Sequence, residues 1–96
     1  MAVKGVRENV IEVELVRRVN ALGGVAEKVT VIGGRGFFDR LVVLPGGRIF
    51  FVECKRPRGG RLSEHQMQRH ARYRALGIDC IAIVKNLADI DRLLSN

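Results

Sequence analysis

The chain has 96 residues, and its 17 lysines and arginines against 10 aspartates and glutamates give a net charge of +7. This length suits one hydrophobic core, so we expect residues 1–96 to form a single domain. The content of hydrophobic residues, 47%, and of charged residues, 28%, excludes a disordered chain. No apolar run approaches the roughly 20 residues of a membrane span, and so basic a small domain is a candidate for nucleic-acid binding.

The first half of the chain predicts one helix and three strands. Helical spacing of apolar residues predicts a helix over 7–22, and a pair of glycines ends it. Residues 25–32 are typical of a strand. Two further strands, 37–44 and 48–54, are joined by Pro45-Gly46-Gly47, which predicts a three-residue hairpin loop.

The second half predicts a helix, a strand and a last helix. Ser63 and Gln66 form a capping box that opens a helix to about Leu76. Residues 78–84 are an apolar run typical of a buried strand, and Asn86 resembles another helix start. The order is therefore αβββαβα. Because the hairpin strands are apolar on both faces, we expect helices on both faces of the sheet.

The hairpin register brings two acids together. When Leu44 pairs with Arg48 across the loop, Asp39 falls opposite Glu53, with Cβ atoms about 5 Å apart. Lys55, two residues further along the strand, points to the same face. Two carboxylates and an ammonium group thus converge at one end of the sheet.

Carboxylates placed directly opposite repel each other, and a divalent cation with oxygen ligands would neutralise them. Lys55 would then position or deprotonate an attacking water, or stabilise charge on a phosphate. The Cys54 thiol points to the opposite face, so only its backbone carbonyl is a candidate ligand. A plain salt bridge between Lys55 and the two acids is the equal alternative. Cys54 and Cys80 both lie in apolar runs and are interpreted as reduced thiols of a cytosolic protein.

The first and second predicted helices supply further candidates. Glu12, with Glu8 as second choice, lies on the apolar stripe of the first helix, where a carboxylate is unusual unless paired or metal-bound; ordinary surface acids are the alternative. Gln66 faces the same side as His70, but the capping box alone would account for it. His70 fits a core histidine better than a phosphate contact, and nothing in the sequence places it near the acids.

Two glycine- and arginine-rich segments flank the acids. Residues 33–36 precede Asp39, and residues 55–61 follow Glu53. Small residues with interspersed arginine let a chain approach phosphates closely, so binding dominated by phosphate contacts is expected. The candidate DNA-binding residues are Arg35, Arg56, Arg58, Arg61 and Arg69.

These motifs together resemble a known family. An acid-bearing first helix is followed by Gly-Phe-Phe-Asp at 36–39, a hairpin, Glu-Cys-Lys at 53–55 and a helix opening with Leu-Ser-Glu-His-Gln at 62–66. Over roughly residues 8–94 the chain resembles the VRR-NUC (virus-type replication-repair nuclease) family of the PD-(D/E)XK nucleases. The resemblance implies an α/β fold, the restriction-endonuclease-like αβββαβα core, with a mixed central sheet flanked by helices.

The resemblance also implies roles for the candidate residues. Asp39, Glu53 and the Cys54 carbonyl would bind Mg²⁺, with Mn²⁺ as a substitute, and Lys55 would be the catalytic lysine. A glutamate of the first helix, Glu12 or Glu8, would complete the acidic set, and Gln66 would be the polar residue that the second helix contributes. One departure is visible, since Phe38 stands where the family has a proline before the aspartate.

The implied activity is that of a metal-dependent, structure-specific DNA endonuclease. The resemblance to small members of the family implies a homodimer that cuts branched DNA such as four-way (Holliday) junctions, in DNA repair or phage DNA processing. We therefore expect a homodimer without a membrane partner, in the cytoplasm of a bacterium or of a phage-infected cell. The alternatives are a non-catalytic basic DNA-binding module that retains the nuclease fold, and a basic assembly protein whose acids form only salt bridges.

Overall fold

A computed structural model of the chain describes residues 8–34 and 36–95. The observed order of elements is αβββαβα, as predicted. The three helices are α1 (Glu8–Ala21), α2 (Glu64–Ala75) and α3 (Leu87–Leu94). The four strands are β1 (Val25–Glu27), β2 (Arg40–Leu44), β3 (Arg48–Cys54) and β4 (Ile81–Val84).

The strands form one mixed sheet in the order β1-β2-β3-β4. β1, β2 and β3 pair antiparallel, whereas β4 runs parallel to β3. A parallel neighbour needs a crossover connection, and α2 supplies it between β3 and β4. The mixed sheet flanked by helices confirms the predicted fold class.

The β2–β3 hairpin has the predicted three-residue loop. Leu44 pairs with Arg48, and the Gly47 amide donates to the Leu44 carbonyl at 3.2 Å. Gly46 and Gly47 both have positive φ, +88° and +81°, a backbone conformation that other residues adopt only at a cost. The two glycines therefore fix the loop length, and the loop length fixes the register of the acids.

Helices α1 and α3 cover one face of the sheet and enclose the core. The core side chains are Ile11, Leu15, Val19, Val42, Leu44, Val52, Cys54, Val84 and Ile90. Each large aliphatic side chain buried in this way stabilises the fold by about 1.5–3 kcal/mol. Because Cys54 belongs to this core and is a free thiol, its sulfur faces away from the acids, as predicted.

The opposite face carries α2, as expected from strands that are apolar on both faces, but this helix covers it only in part. Helix α2 packs there through Tyr73, whose ring lies 6.0 Å from that of Phe51. At the other end of this face, Val25 and Ile49 remain 47% and 46% exposed. A single helix of 12 residues, placed near the acids, does not span the whole face.

Three predicted strands were too long at one end. Residues 28–32 are not strand, because β2 begins only at Arg40 and offers them no partner. Residues 37–39 also precede the ladder, since the rings of Phe37 and Phe38 pack against Tyr73 of α2 instead. The predicted strand 78–84 likewise begins at Ile81.

Candidate active site

Asp39 and Glu53 are direct neighbours at one edge of the β2–β3 hairpin. The ladder ends with the pair Arg40–Val52, and the next residues outward are these two acids. The Asp39 amide donates to Glu53 Oε1 at 3.1 Å, and Asp39 Oδ2 accepts from the Cys54 amide at 2.7 Å. The structure therefore brings together the acids that the register predicted to be opposite.

Both acids are removed from solvent. Glu53 is 1% exposed, and Asp39 is half-buried. Burial raises the pKa of Asp39 above its ordinary value of 3.8, and the negative charge of Glu12 raises it further. The hydrogen bond from the Cys54 amide and the positive charge of Lys55 act in the opposite direction. Keeping Asp39 ionised therefore costs free energy, which a bound cation would offset.

Lys55 follows the acids at the end of β3. Its amide donates to the Val84 carbonyl at 2.9 Å, and the residue is only 9% exposed. Gly60 folds back over it: a Cβ at Gly60 would lie 3.0 Å from the Lys55 Cβ and 2.3 Å from the Arg56 carbonyl oxygen. Only glycine fits there, so the loop after β3 is shaped to cover this lysine.

A cleft of about 620 Å³ opens beside Lys55. Its lining residues are Asn9, Glu12, Lys55, Arg56, Gly59, Gly60 and Arg61. Three cations against one acid make the cleft attractive to a polyanion. Arg56, Arg58 and Arg61 are exposed on the loop around it, as a phosphate-binding role requires. Arg35, the candidate in the other flanking segment, lies outside the described residues.

Glu12 has cationic partners. Its Oε2 accepts from Arg40 Nε at 2.7 Å and lies 3.7 Å from Lys28 Nζ. Within residues 8–34 and 36–95, no three His, Cys, Asp or Glu side chains cluster closely enough to hold a metal ion. Glu12 is thus near Asp39 without joining the acid pair. Glu8 begins α1, and its side chain lies outside the described part of the chain.

The sequence interpretation missed Arg40. This residue alternates with Val42 and Leu44 and so shares their face of β2, toward α1. Its guanidinium bridges Glu12 and the Ala26 carbonyl, the latter at 3.0 Å. The signal that could have found it is a charged residue at a core-facing strand position, which indicates a partly buried ion pair with an acid on the facing helix.

Gln66 and Arg69 lie on the first turns of α2. The predicted capping box is present: Ser63 Oγ accepts from the Gln66 amide at 3.1 Å, and Gln66 Oε1 accepts from the Ser63 amide at 2.9 Å. Arg69 donates to the Gly36 carbonyl and stacks 5.3 Å from the Phe37 ring centre. These residues border a small cavity of about 190 Å³ between α2 and the segment before Asp39.

His70 lies beside the acids, which the sequence did not reveal. It is 2% exposed, and its Nε2 is 3.5 Å from Glu53 Oε2. Its ring stacks on Phe38, with centres 4.9 Å apart and planes at 30°. Burial lowers the pKa of His70, and the charges of Arg74, Arg69 and Lys55 lower it further. The expected core histidine is therefore also a neighbour of the candidate active site.

The residues present fit a hard divalent cation. Asp39 and Glu53, neighbours across the hairpin, each provide a carboxylate, and the residue after Glu53 in the chain provides the Cys54 carbonyl. The Cys54 thiol is buried on the other face of the sheet. An oxygen-only donor set favours Mg²⁺ or Mn²⁺ over zinc.

Comparison with known proteins points to one family. No protein-family model matches the chain. The chain is 47% identical over 78 residues, 81% of its length, to "Putative nuclease p44" of Acyrthosiphon pisum secondary endosymbiont phage 1, of which it covers 83%. It is also similar to a solved structure described as a VRR_NUC domain, with a TM-score of 0.81 and 33% identity over 91% of this chain and 92% of that one. No helix among the described residues is long and apolar enough to cross a membrane.

Proposed function

The chain belongs to the VRR-NUC family of nucleases, and from this premise we propose that it is a metal-dependent, structure-specific DNA endonuclease acting on branched DNA, four-way junctions above all. The observation that carries the proposal is the pair of half-buried Asp39 and buried Glu53, followed in β3 by Lys55, which lines a cationic cleft. We further propose that residues 1–96 form one nuclease domain.

Asp39, Glu53 and the Cys54 carbonyl are the proposed ligands of Mg²⁺, with Mn²⁺ as a substitute. The bound ion would supply Lewis acidity and lower the pKa of a water molecule. Glu12 or Glu8 is the proposed additional acid. For Glu12 this role means releasing Arg40, because the two now form an ion pair at 2.7 Å.

Lys55 is the proposed catalytic lysine. Its side chain lines the cleft, so a phosphate held there lies within its reach. The ammonium group positions the attacking water or stabilises the charge that develops on the phosphate. Gln66 is the proposed polar residue of α2, beyond its role in the capping box.

The arginines around the cleft are the proposed DNA contacts. Arg56 and Arg61 line the cleft, Arg58 lies on the same exposed loop, and Arg69 lies on α2. Arg35, outside the described residues, completes the proposed set. With one tyrosine and no tryptophan in the chain, binding relies on phosphate contacts rather than base stacking.

A homodimer is the proposed form in solution. A four-way junction has two-fold symmetry, and a closed two-fold dimer presents two equivalent active sites to it. The proposed site of action is the cytoplasm of a bacterium or a phage-infected cell.

A cleavage assay tests the proposal. A synthetic four-way junction, a flap, a linear duplex and a single strand are each incubated with Mg²⁺, Mn²⁺ or EDTA, with Lys55→Ala in parallel. Metal-dependent and Lys55-dependent cutting of the junction at paired symmetric positions is expected. Cutting of flaps or single strands instead would retain the nuclease chemistry and reject the junction as substrate.

The same assay separates the alternative function. Tight junction binding with no product under any metal would reject the proposed chemistry in favour of a non-catalytic DNA-binding module. Light scattering of the protein alone and of its junction complex tests the dimer, and a monomeric complex would contradict it.

A further inference from the structure

His70 is a buried polar side chain that the proposed chemistry leaves without a role. It is 2% exposed, and within the described residues neither ring nitrogen has a hydrogen bond of good geometry. Buried polar groups in native proteins are normally satisfied, so an exception calls for an explanation. Glu53 Oε2 lies 3.5 Å from His70 Nε2, and Glu53 is itself 1% exposed.

The imidazole ring is held in place by an aromatic cluster. It stacks on Phe38 at 4.9 Å between ring centres, and Phe38 also packs edge-on against Tyr73 at 5.5 Å. Phe38 immediately precedes Asp39, and Tyr73 lies one turn after His70 on α2. The cluster therefore connects the ring to the segment that carries the first acid.

The Glu53 carboxylate is consequently bordered on both oxygens. Oε1 accepts from the Asp39 amide at 3.1 Å, and Oε2 faces His70 Nε2. A carboxylate that binds a metal is commonly oriented by hydrogen bonds from groups behind it, and these groups tune metal affinity.

We propose that His70 is a positioning residue, whose Nε2–H donates to Glu53 Oε2 and holds that carboxylate in the orientation that binds the divalent cation. This inference rests on the proposed metal-dependent function. A core-filling role is the competing explanation, and it requires only the shape of the ring.

Two substitutions separate shape from hydrogen bonding. His70→Phe retains a planar ring against Phe38 and removes the donor. His70→Gln retains a donor near the position of Nε2 and removes the ring. Tyr73→Leu is the control, because it disturbs the same aromatic cluster and keeps both the imidazole donor, stacked on Phe38, and the Glu53 carboxylate.

The measurement is Mn²⁺ binding to the DNA-free protein, followed by electron paramagnetic resonance of the free ion, together with the Tm in EDTA. We expect His70→Phe to weaken Mn²⁺ binding about 10- to 100-fold without lowering the Tm. His70→Gln should recover most of the affinity despite a lower Tm. Tyr73→Leu should lower the Tm and leave the Mn²⁺ affinity unchanged.

The opposite results overturn the inference. Wild-type affinity in His70→Phe, or losses of affinity that follow Tm across all three variants, would leave only the core-filling role. Should His70→Phe fail to fold, His70→Met replaces it in the same comparison with His70→Gln. Asp39→Ala separates the proposed metal site from the proposed role of His70. If Asp39→Ala binds Mn²⁺ as tightly as the wild type does, the proposed metal site is wrong. If Asp39→Ala loses Mn²⁺ binding and His70→Phe does not, only the role of His70 is wrong.

Discussion

The Asp39 amide donates a hydrogen bond to Glu53 Oε1, 3.1 Å away, so the main chain itself holds these two acids side by side. The bond in the other direction, from the Cys54 amide to Asp39 Oδ2 at 2.7 Å, fixes the second carboxylate. Both bonds depend on the register of one hairpin. A site built on paired strands in this way is organised before any ligand arrives, which is what precise positioning of a phosphate requires.

Replacing Lys55 with alanine is expected to abolish most of the cleavage and to leave DNA binding largely intact. General acid–base and electrostatic assistance of this kind contributes about 10²- to 10⁴-fold to a rate. Arg92→Ala is the charge-matched control, because Arg92 belongs to α3 on the other face of the sheet. Single-turnover cleavage and a filter-binding assay measure the two effects. Equal cleavage by Lys55→Ala and Arg92→Ala would show that Lys55 is not catalytic.

Asp39→Asn is expected to stabilise the protein in EDTA and to abolish its stabilisation by Mn²⁺. Burial raises the pKa of Asp39, so the folded state holds this proton more tightly than the unfolded chain. The contribution of Asp39 to stability is therefore greatest at acid pH and declines as the pH rises from about 3.8 through the folded pKa. Neutral asparagine removes that decline.

Thermal melts of wild type and Asp39→Asn from pH 4 to pH 8 measure this difference, and titrating groups that do not interact with Asp39 cancel in the comparison. The Tm difference in favour of Asp39→Asn should grow as the pH rises from 4 and should level off above the folded pKa of Asp39. A lower Tm for Asp39→Asn, with no response of the wild type to Mn²⁺, would instead support a structural salt bridge with Lys55.

The sequence predicted the acid pair because its position depends on local rules. A Pro-Gly-Gly loop sets the hairpin length, and strand alternation then places Asp39, Glu53 and Lys55. The position of His70 depends on how α2 packs across the sheet, which no local pattern encodes. The same holds for Arg40, whose partner Glu12 is 28 residues away in the chain. Side-chain contacts between different helices and strands could therefore be identified only from the structure.

Glu12→Gln is expected to lower the pKa of Asp39, because the charge of Glu12 contributes to raising it. Carbon-13 NMR of the Asp39 carboxyl in the metal-free protein measures the change directly. If Glu12 is also the additional acid of the site, its variant should lose at least about tenfold in cleavage, as groups around a metal typically do. Glu8→Gln is the matched comparison, and a larger loss there would assign the role to Glu8.

Arg61→Ala is expected to weaken DNA binding to the same degree for every sequence. Each phosphate contact adds about 0.9 to the slope of log K against log salt concentration, so the variant slope should fall by about one. Arg61 is suited to this test, because it lines the cleft and is exposed. Arg92→Ala is again the control. An unchanged slope in Arg61→Ala would remove this residue from the DNA interface.

Ser63→Ala and Gln66→Ala together decide whether Gln66 does more than cap α2. Each variant removes one half of the capping box, and loss of such a cap costs about 1 kcal/mol in the free energy of unfolding. If Gln66 also serves the active site, Gln66→Ala should lose cleavage well beyond Ser63→Ala at matched stability. Urea unfolding and single-turnover cleavage of both variants provide the comparison. Equal cleavage by the two would restrict Gln66 to the helix start, since its Oε1 already accepts from the Ser63 amide at 2.9 Å.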